Sequence, residues 1–75
     1  MTKLPQIKPR KLVHFFHRLG FQTTRQTGSH MRLIHPDGQK ITIAIHSKPV
    51  AIGTLNSILK QANLTKEQFL EKFNF

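Results

Sequence analysis

The sequence predicts a small α+β domain of two layers, a three-stranded antiparallel sheet with helices on one face. Three observations lead there: an apolar repeat of helical spacing near the N-terminus, two alternating runs on either side of Pro36-Asp37-Gly38, and a second helical repeat after them. At 75 residues the chain has room for one core. Residues 1–75 are therefore read as a single domain, with residues 1–6 expected to be a flexible lead-in.

The elements follow in the order α-β-β-β-α, with a short third helix at the end. Pro9 suits the first turn of a helix, where its missing N–H is not needed. The following residues place Leu12, Val13, Phe16 and Leu19 on one face, and Arg10, Lys11, His14, His17 and Arg18 mostly elsewhere. Gly20 stands where a left-handed residue would end this helix, with Phe21 supplying the apolar contact that accompanies such an end. From Phe21 the residues Gln22 to Gln26 mix β-branched and polar types, as an edge strand does.

The runs His30–His35 and Lys40–Ile45 flank a loop in which proline presets φ and glycine accepts a positive one, which predicts a β-hairpin. Pairing His35 with Gln39 sets Leu33 opposite Ile41 and Met31 opposite Ile43 on the core side, together with Ile45. His30, Arg32, Lys40, Thr42, Ala44 and His46 then project from the other side. Leu55, Ile58, Leu59 and Ala62 mark the second helix, with Asn63 as its stop and Leu64 as a packing residue. Thr65 and Gln68 form a capping-box pair opening the short last helix, with Leu70 and Phe73 inward and Phe69 shared.

Composition narrows the function. Twelve Lys and Arg stand against three Asp and Glu, a formal charge of +9. Like charges repel in a compact fold, so such an excess points to a polyanionic or acidic partner, nucleic acid first. The only side-chain carboxylates are Asp37, Glu67 and Glu71, which leaves little to build a carboxylate-held Mg²⁺ nuclease or a two-carboxylate glycosidase. The absence of cysteine excludes thiolate zinc and thiol nucleophiles and suits the cytoplasm. No apolar run approaches the roughly 18 to 20 residues that span a bilayer, so no membrane is expected as a partner. His14 and His17 lack a third ligand nearby in sequence, so they are read as rim residues of the helix; neither a metal nor another cofactor is expected. His35 reads as a hairpin-end residue.

His30 stands apart. It follows Gly28-Ser29 at the start of a strand whose exposed side also carries Arg32, Lys40 and Thr42. Imidazole changes charge near neutrality, and neighbouring cations disfavour its protonated form, so it can act as a general base. RNA carries its own nucleophile in the 2′-hydroxyl. One positioned base and one or two cations at the phosphate therefore suffice for cleavage to a cyclic phosphate without a metal. On spacing alone, a strand residue that merely binds phosphate is the simpler reading of His30.

Taken together, Leu19-Gly20-Phe21, Gly28-Ser29-His30, Pro36-Asp37-Gly38, His46, Gly53-Thr54-Leu55 and Ile58-Leu59-Lys60-Gln61-Ala62 resemble the HicA (YcfA-type) family of toxin ribonucleases from about Ile7 onward. The resemblance implies a fold like that of double-stranded-RNA-binding domains, and the toxin role in a type II toxin-antitoxin system. It also implies ribosome-independent cleavage of mRNA, inhibition by a HicB-type antitoxin, and a catalytic histidine at His30. One departure is that Ala44 stands where the family's Val-Pro-x-His pattern has proline. On this reading Arg32 and Lys40 stabilise charge at the phosphate, Arg10, Lys11 and Arg18 hold the RNA backbone, Ser29 and His46 are further RNA-binding residues, and His46 is also a candidate acid, with a plain turn residue as its alternative. The alternative is a non-catalytic double-stranded-RNA-binding module. Single-strand binding by stacked aromatics is disfavoured, because Trp and Tyr are absent and the six Phe residues are needed in the core.

Overall fold

In the computed structural model, which describes residues 3–73, helix α1 (Pro9–Arg18) leads into strands β1 (Gln22–Thr27), β2 (His30–Ile34) and β3 (Lys40–Ala44). Helices α2 (Ile52–Gln61) and α3 (Lys66–Lys72) follow. The sheet has the order β1-β2-β3 and is antiparallel throughout, with the helices packed on one face, as the patterning predicts. Pro9 occupies the first turn of α1 and is itself buried. Ahead of it, Leu4 packs against the core and Ile7 is buried, its carbonyl accepting from the Val50 N–H at 2.7 Å. The start of the expected lead-in, Met1 and Thr2, lies outside the described residues.

Helix α1 ends as its sequence dictates. Gly20 has φ +101°, the Gly20 N–H donates to the His17 carbonyl, and the Phe21 N–H reaches back to the Phe16 carbonyl at 3.0 Å. The Phe16 and Phe21 rings meet edge to face with centroids 5.1 Å apart, closing a Schellman end with its apolar clasp. Asn63, at φ 61°, ends α2 in the same way, with the Leu64 N–H donating to the Leu59 carbonyl. The capping box of α3 is complete: the Gln68 N–H donates to Thr65 Oγ1 and the Thr65 N–H to Gln68 Oε1.

The hairpin register is the predicted one. Leu33 faces Ile41 and Met31 faces Ile43, and Leu33, Ile41 and Ile43 are buried beneath the helices. Three expectations need correction. Helix α2 begins at Ile52, a turn earlier than its apolar spacing suggests. In α3 the deeply buried residue is Phe69, whereas Leu70 is only partly covered, because the helix presents Phe69 to α1. Phe15, which the helical stripe omits, is buried where α1 meets α3, its ring 5.0 Å from Phe69 and 5.4 Å from Phe73. A second apolar flank on α1 is what allows a third helix to dock.

Candidate active site

The face of the sheet turned away from the helices is set by the β1–β2 connection. Gly28 and Ser29 form a two-residue turn between the paired residues Thr27 and His30, and Gly28 has φ +57°. Glycine at the first position of a tight hairpin turn is the type II′ pattern, whose twist matches that of the flanking strands. The Ser29 carbonyl accepts the Ile45 N–H at 2.6 Å, tying the turn to the chain leaving β3. His30 is therefore held at the first ladder position after an anchored turn, paired with Ala44 on its other side. Alanine at this position carries the ladder as far as residue 44.

The His30 side chain is exposed and lines an open hollow of about 210 Å³ together with Arg25, Thr27, Arg32 and Thr42. No protein group among the described residues hydrogen-bonds to its ring. Among the described residues no three of His, Asp and Glu cluster as a metal site requires. The three acids lie elsewhere: Asp37 in the β2–β3 turn, where its carboxylate is 3.6 Å from His35 Nδ1, and Glu67 and Glu71 on α3. The hollow is thus lined by two guanidinium groups, two hydroxyls and one imidazole, all able to donate to anionic oxygens.

Other residues singled out from the sequence are distributed differently. Arg32 shares the hollow with His30. Lys40 pairs with Ile34, four positions along β3 from the partner of His30, so its ammonium belongs to the other end of the sheet. At about 3.3 Å per residue, the two positions are separated by roughly 13 Å along the strand. His46 lies beyond β3, because regular pairing stops at Ala44 and the alternation that put His46 beside His30 no longer applies. It lines a separate hollow with Lys48, Val50 and Thr54 at the start of α2. Arg10, Lys11 and Arg18 sit on α1, in the layer on the opposite side of the sheet, and Lys11 Nζ lies 5.8 Å from the centre of the Phe73 ring. Ser29 enters through its carbonyl, as the anchor of the turn.

Two roles were missed. Arg25 reaches the hollow because regular pairing runs back from the Gly28-Ser29 turn, Thr27 with His30, Gln26 with Met31 and Arg25 with Arg32; beyond it β1 carries a bulge, with Thr24 as an extra residue before Thr23 pairs with Leu33. The bulge puts Thr23 on the opposite side of the sheet from Arg25, where strict alternation would put both on one side. The signal that places Arg25 is the Gly28-Ser29 turn, from which the pairing of β1 with β2 is counted directly. His35 is more than a hairpin end. Its Nδ1 accepts the Asp37 N–H at 3.0 Å, so Nε2 carries the proton and donates to the Leu19 carbonyl at 3.2 Å, binding the hairpin to the end of α1. His17, exposed on α1, meets Thr23 Oγ1 at 2.8 Å.

Among the described residues no helix is long and apolar enough to cross a membrane. Comparison with individually curated proteins yields no match. A family model described as the HicA toxin of bacterial toxin-antitoxin systems matches residues 9–64, which runs from the first residue of α1 to the residue that closes the end of α2 and so takes in the whole sheet. The chain belongs to the HicA toxin family, which makes it the toxin of a toxin-antitoxin pair and gives it an antitoxin as counterpart.

Proposed function

We propose that this toxin is a metal-independent endoribonuclease that cleaves mRNA with His30 as general base. The observation that carries the reading is the exposed His30 ring, set by an anchored turn into a hollow with Arg32 and with no acid near it. In the reaction His30 takes the proton of a ribose 2′-hydroxyl. The freed oxygen attacks the adjacent phosphorus, a new P–O bond forms as the P–O5′ bond breaks, and the products are a 2′,3′-cyclic phosphate and a 5′-hydroxyl. Arg32 donates to the phosphate oxygens, whose charge grows in the transition state. With His46 in a separate hollow, the leaving oxygen takes its proton from water.

The scarcity of carboxylates supports chemistry that uses the substrate's own hydroxyl, and that hydroxyl is what distinguishes RNA from DNA here. The absence, among the described residues, of a side chain orienting His30 favours slow turnover, since none of them fixes its tautomer. The same absence is the observation favouring a second reading, a non-catalytic RNA-binding module. A HicB-type antitoxin with an acidic surface over the open face would neutralise Arg32 and cover His30 in one contact.

The test is cleavage of single- and double-stranded RNA in the presence of EDTA by the parent and His30→Ala proteins. Cleavage by the parent alone, ending in cyclic phosphate, is the expected result. Equal cleavage by both removes the histidine mechanism, and binding without cleavage by both establishes the second reading.

A further inference from the structure

We infer that Arg25 is a binding residue that forms with Arg32 a two-pronged clamp on a phosphodiester of the bound strand. The inference rests on the ribonuclease reading and deepens it at the same hollow. Arg25 and Arg32 are directly opposed across β1 and β2, and both line the hollow that holds His30. Directly opposed residues have Cβ atoms about 4.5–5.5 Å apart, and like charges at such positions destabilise a sheet. None of the three acids of the chain relieves the pair: Asp37 is in the far turn, and Glu67 and Glu71 are on α3 in the helical layer. An uncompensated arginine pair in a concavity is an anion site, since each planar fork donates two parallel bonds to phosphate oxygens.

The backbone gives the second argument. The pair follows from the Gly28-Ser29 turn: Thr27 pairs with His30 and, two residues on, Arg25 with Arg32, so Arg25 and Thr27 share the side of His30 on unbroken ladder, and the bulge at Thr24 begins only beyond Arg25. Thr27 and Thr42 flank the arginines, so the hollow presents hydroxyl donors next to the guanidinium groups and one base beyond them. A chain of phosphodiesters fits this order: one phosphate between the arginines, and its ribose toward His30.

The clamp is tested with a 2′-O-methyl oligoribonucleotide, which lacks the free hydroxyl and reports binding alone, by fluorescence anisotropy over a series of salt concentrations. Arg25→Gln is expected to weaken binding about tenfold and to reduce the slope of log K against log salt by about 0.7, one single-strand phosphate contact. Arg25→Lys is expected to keep the slope and lose part of the affinity, because the charge remains and the fork is gone. Lys66→Gln, which removes an exposed cation at the start of α3, should leave both unchanged. Arg25→Gln should melt no lower than the parent, since it relieves a repulsion, so loss of binding is not loss of fold. Parent-like affinity and slope for Arg25→Gln, or an equal loss for Lys66→Gln, overturns the clamp. Failure of the His30→Ala comparison removes the catalytic reading separately, because the binding probe does not depend on cleavage.

Discussion

Gly20→Ala perturbs two things at once, and the structure allows their sizes to be worked out. A φ of +101° lies beyond the left-handed helical well, in a region that L-residues avoid at a cost of about 1–2 kcal/mol or more. A Cβ on Gly20 would also stand 3.2 Å from His35 Nε2, the same atom that donates to the Leu19 carbonyl at 3.2 Å. The ring must withdraw by a few tenths of an ångström, which lengthens that bond past useful range and forfeits about 1 kcal/mol. The sum is about 2–3 kcal/mol. Small domains hold roughly 0.05–0.15 kcal/mol per residue, so this is a large share of the total. Thermal unfolding followed by circular dichroism should show a Tm lower by about 10–20 °C. In a His35→Ala background the close contact vanishes, and the cost of Gly20→Ala should fall by about 1 kcal/mol. Gly53→Ala supplies a control of opposite sign. Gly53 lies in the first turn of α2 with nothing within 4 Å of an added Cβ, so alanine should stabilise by about 0.5 kcal/mol. A Gly20→Ala variant within about 0.5 kcal/mol of the parent, or one indifferent to His35, would refute the reasoning.

Phe15→Ala removes a buried ring that touches Phe16, Phe69 and Phe73, and should cost about 3–5 kcal/mol in chemical denaturation, loosening α3 first. Arg32→Gln should lower the cleavage rate about 10²-fold, whereas Lys40→Gln and His46→Ala, placed away from the hollow, should stay within about twofold; a gel-based rate assay distinguishes them. Affinity for the antitoxin, measured calorimetrically, should decline as ionic strength rises, because the facing charges are exposed and screened by salt; an affinity indifferent to salt would count against an acidic cover.

Features of this fold that depend on a few adjacent residues are legible in the sequence. The left-handed stops at Gly20 and Asn63, the Thr65–Gln68 box and the register of the Pro36-Asp37-Gly38 hairpin are all decided by local chemistry, and each is present as expected. The side of the sheet on which His30 emerges follows from that register. What escapes the sequence depends on where regularity breaks. Alternation carried past Ala44 puts His46 on the wrong side, and alternation carried through Thr24 puts Thr23 on the same side as Arg25, where the bulge sets it on the other. The helical stripe of α1 omits Phe15 because its burial depends on a third helix arriving from the far end of the chain. The α1 cations share the charge of the molecule with His30 but not its layer, which composition alone has no means of separating.

The bulge at Thr24 has an effect beyond the direction of one side chain. β1 is an outermost strand, exposed along all six residues, and such a strand offers its free N–H and C=O groups as a template for any passing extended chain. An irregular backbone with a guanidinium beside it spoils that template. The same inserted residue therefore makes β1 a poor edge for pairing with the β1 of a second copy of this highly charged chain.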